Sequence, residues 1–285
     1  MTLPYRSTPA ALAPARAAEP EPRVSIVIPA RNEARNLEEI LPALPPVHEV
    51  ILVDGHSVDD TVEAARRVLP EVRVLSQTRM GKGNALVCGF LAATGDIVVM
   101  FDADGSADPA EIPAFVRAIV EGADMAKGSR FRPGGGSEDI TAFRRAGNTF
   151  LNVLTNLLLG TRYTDLCYGY NAIRRSALAR LDLPDPDLPP AADGALTWGD
   201  GFEIETVLNC RVAAAGLRVV EVPSFERLRL HGASNLNAIR DGFRVLKTIF
   251  DERRRARDAA FLPLALASAP AADRVRVRAS RESAA

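Results

Sequence analysis

Two aspartates one residue apart follow a short apolar run, and their type and spacing suit cation binding. Residues 97–101 lead directly into Asp102, Ala103 and Asp104. An unbroken apolar run predicts a strand buried on both faces, and ligands of open α/β sheets bind beyond the carboxyl ends of strands. Two carboxylates there favour Mg²⁺ or Mn²⁺, with waters and substrate phosphates completing the shell. The alternative is a turn at Asp104-Gly105 in which Asp102 caps a helix.

The elements that would position these acids alternate regularly in the first half of the chain. Apolar runs that predict strands lie at 24–28, 50–53, 72–75 and 97–101, each followed by a helical pattern. This alternation is typical of a mostly parallel sheet with helices on both faces. Polar residues follow other strands too: Arg31 and Glu33, Asp54, and Arg130. Because carboxyl ends of parallel strands meet at one edge, we expect these residues to line one crevice.

The second half of the chain has a different pattern. Residues 143–159 predict a helix whose apolar set is too wide for a simple surface helix, so it either packs into the core or offers an apolar face to a lipid. A proline-rich stretch at 181–195 predicts a loop. Two further helices are expected at 202–215, opened by Gly199-Asp200-Gly201, and at 236–250.

Composition narrows the class of protein. The chain has 285 residues and a formal net charge of −1, which gives no overall attraction to nucleic acid. Its three cysteines and three histidines are scattered, so we expect no zinc site, a reducing compartment and thiols buried as small hydrophobes. We expect a disordered leader at 1–22 and a flexible tail at 253–285, both rich in Ala and Arg. No apolar segment is long enough to cross a bilayer.

Several short motifs occur in a fixed order. They are Val-Ile-Pro-Ala-Arg-Asn-Glu at 27–33, Val-Asp-Gly-His-Ser-Val-Asp-Asp-Thr at 53–61, Gly-Lys-Gly-Asn-Ala at 81–85 and Asp-Ala-Asp at 102–104. The ordered set resembles family 2 glycosyltransferases with the glycosyltransferase-A fold. Gly-Ser-Arg at 128–130 and Arg-Leu-His-Gly-Ala-Ser at 229–234 resemble the branch of dolichol-phosphate mannose synthase and polyprenyl-phosphate sugar synthases. The resemblance implies one catalytic domain at 23–252, with a nucleotide-binding half at 23–130 and an acceptor half at 131–252.

The resemblance implies a nucleotide-sugar donor, linked to UDP, GDP or dTDP, whose departing diphosphate must be neutralised. Asp102 and Asp104 would hold a Mg²⁺ or Mn²⁺ ion, and Arg130 and Arg229 would contact phosphates. The expected nucleotide-contacting residues are Pro29, Arg31, Glu33, Asp54, Lys82, Asp102, Ala103, Asp104, Arg130, Arg229 and Ser234. The chain departs from the family pattern at Gly55, His56 and Asn235, where an acid, a glycine and a lysine are usual.

The acceptor stays open between two classes. A hydroxyl acceptor, on a soluble sugar or metabolite, needs a general base, for which Asp200 is the first candidate and Glu203 and Glu205 the others. A polyprenyl phosphate is already ionised and needs none. In that case the helix at 143–159 would touch the lipid at the membrane surface, and Arg144 or Arg145 would bind the acceptor phosphate. We favour the polyprenyl phosphate, with inverting transfer by an enzyme that is cytoplasmic or peripheral at the inner face of the membrane.

Two other classes fit less well. A sugar nucleotidyltransferase would need a glycine- and arginine-rich loop after the first strand, where this chain has residues 29–33. A non-catalytic sugar- or nucleotide-binding protein would not need Asp102, Asp104, Arg130 and Arg229 together. The sequence therefore predicts a metal-dependent glycosyltransferase with Asp104, Arg130 and Asp200 as its catalytic residues.

Overall fold

The computed structural model describes residues 21–192, 196–233 and 236–268. Its strands are β1 (Val24–Ala30), β2 (Glu49–Asp54), β3 (Arg73–Ser76), β4 (Ile97–Met100), β5 (Met125–Ser129), β6 (Gly136–Ser137), β7 (Asn171–Arg174), β8 (Val219–Pro223) and β9 (Phe225–Glu226). Its α-helices are α1 (Ala34–Ile40), α2 (Thr61–Val68), α3 (Lys82–Ala92), α4 (Ile112–Val120), α5 (Ala142–Leu159), α6 (Arg175–Leu178), α7 (Ile204–Ala214) and α8 (Ala238–Ser268). Short 3₁₀ turns lie at Leu41–Ala43 and Pro109–Glu111.

Seven strands form one sheet in the order β3-β2-β1-β4-β7-β5-β8. All neighbours are parallel except β7, which runs antiparallel to both β4 and β5. The chain moves outward from β1 through β2 to β3 and then returns to the other side of β1 with β4. This reversal leaves a crevice between the carboxyl ends of β1 and β4, where α/β sheets bind their ligands. The expectation of a mostly parallel α/β sheet with helices on both faces is confirmed.

Alternate residues of the strands build a core on each face of the sheet. Ile26 and Ile28 of β1 pack with Leu37 of α1 and Phe115 of α4. Val27 points to the other face, in a second core that also includes α3 and α7 residues. A smaller third core joins α5 to α8 through residues that include Leu151, Val245 and Ile249. Both faces are thus covered by helices, which explains why the inner strands read as unbroken apolar runs.

Some sequence expectations need correction. Residues 136–137, a Gly-Ser pair outside the apolar runs that predict strands, pair as β6 with β9 in a small separate sheet. Helix α8 continues to Ser268, so residues 253–268 of the expected flexible tail are helical, and the remainder lies outside the described residues, as do residues 1–20 of the expected leader. All three thiols are free, but only Cys210 is buried, and the expectation of buried thiols is wrong for the exposed Cys167.

Candidate active site

The acidic turn lies at the crevice between β1 and β4. Asp102 and Asp104 follow the end of β4, and their side chains are 34% and 22% exposed. The Asp104 carboxylate accepts a hydrogen bond from the Ser106 backbone N–H at 3.0 Å, which fixes the turn, while Ala103 between the two acids is buried. Both acids are thus held at the predicted sheet edge and can still be reached from solvent.

Lys82 occupies the space beside Asp102. Its ammonium nitrogen lies 2.7 Å and 2.9 Å from the two carboxylate oxygens of Asp102 and 2.9 Å from Glu205 Oε1. Burial opposes the charge on this lysine, but the two carboxylates outweigh that effect and raise its pKa above the ordinary value. Burial raises the pKa of Glu205, against the opposing effect of the ammonium. Lys82 therefore links the acidic turn to Glu205 of α7.

Two glycines place Lys82 at the start of α3. Gly81 has a φ of 119°, a conformation that side-chain-bearing residues rarely adopt. The Gly83 N–H donates to the Asp200 carbonyl at 2.7 Å, and a Cβ at Gly83 would lie 1.9 Å from the Gly199 carbonyl oxygen. The first turn of α3 consequently packs directly against the backbone of residues 199–200.

Arg229 plays a comparable part on the other side of the turn. Its Nη1 donates to both oxygens of Glu33, at 2.9 Å and 3.0 Å, and its Nη2 lies 3.5 Å from Asp104 Oδ2. The Leu230 N–H donates to the Asp104 carbonyl at 3.0 Å, so this loop sits on the acidic turn. Arg229 Nε is buried and has no hydrogen-bond partner among the described residues. The Arg229 Nη2, which makes only the longer contact with Asp104, retains donor capacity beside the acids. Ser234 of the same motif lies outside the described residues.

The turns after β1 and β2 meet at this edge. Ala30 pairs with Asp54 in the sheet, and the Gly55 N–H donates to the Ala30 carbonyl at 2.7 Å. Asp54 is buried and accepts from the Ser57 N–H. His56 has a φ of 58°, which favours glycine, the usual family residue there. Pro29 is partly buried at the end of β1, and Arg31 is exposed.

Arg130 is held in a buried ion-pair network. Its guanidinium donates to both oxygens of Asp165, at 2.7 Å and 2.8 Å, and to Glu226 at 3.0 Å. The centroid of the Tyr168 ring lies 4.8 Å from its Cζ atom. The centroid of the Phe131 ring lies 5.7 Å from the same atom and 5.2 Å from Arg145 Cζ. Arg130 is therefore already paired on two sides, and its contact with donor phosphates stays a prediction.

Each of the three candidate general bases is also ion-paired. Asp200 is buried and accepts two hydrogen bonds of 2.7 Å from the Arg79 guanidinium. Glu203, also buried, accepts from Arg244 at 2.7 Å, and Glu205 holds Lys82. The role of Asp200 as a general base stays a prediction, and the carboxylate that would perform it is engaged by Arg79.

Helices α5 and α8 expose large apolar side chains. Within the third core Leu154, Leu158 and Leu246 are partly buried at the seam between the two helices. Large apolar side chains exposed on these helices are Phe143, Phe150, Val153 and Leu157 of α5 and Ile239, Phe243 and Phe250 of α8. In the described part of the chain, no helix combines the length and the hydropathy needed to span a bilayer.

The donor set at the acidic turn fits a divalent cation shared with a diphosphate. Asp102 and Asp104 offer carboxylate oxygens, the ligand type that Mg²⁺ and Mn²⁺ prefer. Among the described residues, no group of three or more His, Cys, Asp or Glu side chains is arranged to hold a metal. A cation bound by two carboxylates keeps positions for phosphate and water. The Arg229 Nη2 lies beside the same turn, 3.5 Å from Asp104 Oδ2.

Some functional partners could not be found from the sequence. Arg79 is 121 residues from Asp200, and Arg130 is 96 residues from Glu226. A Cβ at Gly169 would lie 2.8 Å from Lys82 Nζ and 3.2 Å from Asp102 Oδ2. No local spacing reveals such contacts, because they depend on how distant segments pack.

Comparison with known proteins agrees with this geometry. Residues 25–182 match the family described as Glycosyl transferase family 2. A polyprenol monophosphomannose synthase of Mycolicibacterium smegmatis is 33% identical over 230 residues, which cover 76% of this chain and 82% of that protein. An undecaprenyl-phosphate mannosyltransferase of Micrococcus luteus is 34% identical over 211 residues, or 70% and 82% of the two chains.

A solved structure extends the comparison to the fold. The glucosyl-3-phosphoglycerate synthase of Mycobacterium tuberculosis is 25% identical, with a TM-score of 0.60 over 81% of this chain and 80% of that one. The sheet order, the crevice and the acidic turn define an enzyme of the glycosyltransferase-A fold. The chain belongs to glycosyl transferase family 2, which confirms the resemblance found in the sequence.

Proposed function

We propose that this glycosyltransferase moves a sugar from a nucleotide-sugar to a polyprenyl phosphate at a membrane surface. The choice of acceptor rests on one observation: all three candidate general bases are ion-paired to cationic side chains. Asp200 is held by Arg79, Glu203 by Arg244 and Glu205 by Lys82. A hydroxyl acceptor needs a carboxylate within hydrogen-bond reach of its proton, whereas a phosphate acceptor is ionised before it binds.

The donor diphosphate would be neutralised at the acidic turn. Asp102 and Asp104 would hold a divalent cation, which would supply positive charge to the two phosphates as the nucleoside diphosphate leaves the sugar. The Arg229 guanidinium, 3.5 Å from Asp104, would add positive charge beside the phosphates, and the buried Asp54 and partly buried Pro29 would form the wall next to the nucleotide. Glu33 holds Arg229 in place at 2.9 Å and therefore acts on the donor through that guanidinium.

The acceptor would approach from the α5 side. Arg145, at the start of α5, stacks on the Phe131 ring at 5.2 Å, and Arg130 lies on the same ring. A lipid phosphate near these residues would have its chain beside the exposed Phe150 and Leu157. The two relatives named above carry polyprenol or undecaprenyl phosphate in their names, which supports this acceptor class.

A matched pair of acceptors tests the proposal. The chain is incubated with Mn²⁺, a labelled UDP-, GDP- or dTDP-sugar, and either a polyprenyl phosphate or the polyprenol of the same length. We expect labelled lipid from the phosphate and none from the alcohol. Transfer to the alcohol or to a soluble sugar, with none to the polyprenyl phosphate, would contradict the proposal that the acceptor is an ionised phosphate. The mechanism would then need a general base.

A further inference from the structure

Each acid of the turn shares its cationic side chain with a second carboxylate. Lys82 lies between Asp102 and Glu205, at 2.7 Å and 2.9 Å. Arg229 lies between Asp104 and Glu33, at 3.5 Å and 2.9 Å. The two second carboxylates belong to different parts of the chain: Glu205 is in the first turn of α7, and Glu33 precedes α1.

The two arrangements differ in which carboxylate is favoured. Arg229 contacts both oxygens of Glu33 closely and Asp104 only at the longer distance, so it is seated mainly on its second carboxylate. Lys82 contacts both oxygens of Asp102 as well as one oxygen of Glu205. Asp102 is therefore the acid whose oxygens are the more occupied by a cation of the chain itself.

We propose that Lys82 is a resident counter-ion of Asp102, which a divalent cation displaces onto Glu205. The inference rests on the proposed cation site at Asp102 and Asp104. A cation bound to Asp102 would repel an ammonium so close to the same carboxylate. Glu205 lies within contact already, so the ammonium can give up Asp102 without losing a partner and without leaving its pocket.

The pocket around Lys82 limits its movement to this exchange. Its side chain is 14% exposed, and the Phe202 ring lies 6.0 Å from the ammonium. Gly169 closes the third side so tightly that an added Cβ would lie 2.8 Å from Nζ and 3.1 Å from Glu205 Oε1. Because Glu205 belongs to α7, filling the donor cation site would strengthen an ion pair between α3 and the acceptor half.

The affinity for Mn²⁺, measured in the absence of a nucleotide-sugar, tests the counter-ion role of Lys82 directly. Free Mn²⁺ is measured by its electron paramagnetic resonance signal during titration of wild type, Lys82→Met, Glu205→Gln and the double variant. We expect Lys82→Met to tighten Mn²⁺ binding roughly three- to tenfold, since the competing ammonium is gone. Glu205→Gln should weaken binding by a similar factor, because the ammonium then has only Asp102. In the Lys82→Met background, Glu205→Gln should have almost no effect.

The double variant separates the exchange from a general effect of charge. If Glu205 acted only through the electrostatic field of its charge, Glu205→Gln would weaken Mn²⁺ binding equally with and without Lys82. That result would overturn the proposal. Mn²⁺ binding that Lys82→Met fails to tighten, including no binding by either protein, overturns it as well. Should Lys82→Met fold poorly, judged by its melting temperature, Lys82→Gln replaces it.

Controls keep this result apart from the proposed function. Glu203→Gln removes the same charge just before α7, but Glu203 pairs with Arg244, so Mn²⁺ affinity should stay within twofold of wild type. Asp102→Asn should weaken Mn²⁺ binding. Unchanged Mn²⁺ affinity in this variant would contradict both the cation site at Asp102 and the counter-ion role of Lys82. Suppose that the wild-type enzyme transfers sugar with Mn²⁺ but that Lys82→Met has the Mn²⁺ affinity of wild type. The proposed function would then still hold, and only the role of Lys82 as a counter-ion would be contradicted.

Discussion

Several buried charged residues of the described chain, among them Arg79, Arg130 and Arg211, are held by partners far away in the sequence. Arg79 is 3% exposed at its side chain and Asp200 2%, and the Arg79 Nη1 also donates to the carbonyls of Asp185, Pro186 and Leu188. One guanidinium thus joins the proline-rich loop to the backbone that supports α3. Removing one member of such a pair leaves an uncompensated buried charge, which is the costly change.

Arg79→Met should therefore destabilise the protein strongly. We expect a loss of about 3–5 kcal/mol in the free energy of unfolding, because Asp200 would stay buried without its partner. Urea denaturation followed by circular dichroism measures it. The control is Lys247→Met, which breaks the exposed pair with Asp251 and should cost about 0.5 kcal/mol or less. Equal losses in the two variants would contradict the structural importance of the Arg79 pair.

At the scale of elements, the sequence predicted the strands and turns that depend on neighbouring residues. The strands β1, β2 and β4 and the polar residues at their ends follow from apolar runs and turn residues, and the structure brings Asp54, Asp102 and Asp104 to one edge. The antiparallel insertion of β7 between β4 and β5 was not predictable, because strand pairing depends on long-range contacts. The continuation of α8 to Ser268 was missed, because the Ala- and Arg-rich composition carries little hydrophobic period.

The apolar surface of α5 can be tested by changing its exposed residues. Leu154 and Leu158 face the seam with α8, so Phe150 and Leu157, which are 59% and 78% exposed, are the informative positions. Each could bury apolar surface worth about 1.5–3 kcal/mol in a lipid layer. Phe150→Asp with Leu157→Asp should lower affinity for anionic vesicles in a sedimentation assay more than about tenfold.

A matched change elsewhere completes that test. Leu91 of α3 is 70% exposed and lies outside the α5–α8 surface. Leu91→Asp should leave vesicle binding unchanged. Equal vesicle binding by wild type and the α5 double variant would show that this surface does not meet the membrane.

Glu49 joins three elements at the sheet edge opposite the crevice. Its carboxylate accepts from the Ser25 hydroxyl at 2.7 Å and from the Thr94 N–H at 2.6 Å. Burial acts in the other direction, but these hydrogen bonds lower its pKa from 4.5 to about 2. Between these two pKa values Glu49 is largely protonated in the unfolded chain and ionised in the folded protein. The free energy of unfolding therefore falls as the pH drops from about 5 to about 2.

Glu49→Gln should remove this part of the acid sensitivity. We expect the variant to be less stable than wild type at pH 6, with a difference that shrinks steadily toward pH 2. Thermal denaturation at a series of pH values measures both curves. A difference in melting temperature that stays constant across this range would contradict the lowered pKa of Glu49.

At the scale of the whole molecule, ligand binding should stabilise the fold. The crevice is built from the turns after β1, β2 and β4 and from the Arg229 loop, so a bound nucleotide would hold these segments together. At a concentration 100 times its dissociation constant, a ligand adds about 2.7 kcal/mol to the free energy of unfolding. For a chain of this size, that raises the melting temperature by roughly 4–5 °C.

A melting screen of UDP, GDP and dTDP with Mn²⁺ should identify the base. We expect one nucleotide to raise the melting temperature by this amount in wild type and not in Asp104→Asn. The same shift in both proteins would mean that the nucleotide binds without the acidic turn.

The central claim is that Asp102 and Asp104 bind the cation that drives sugar transfer to a polyprenyl phosphate. It is tested most directly by the rate of labelled-sugar transfer by metal-stripped enzyme before and after Mn²⁺ is restored. Wild type should regain full activity, whereas Asp102→Asn with Asp104→Asn should stay at least about 100-fold slower at saturating donor. Transfer by the double variant at the wild-type rate, or transfer by the stripped enzyme that Mn²⁺ does not increase, would contradict the account.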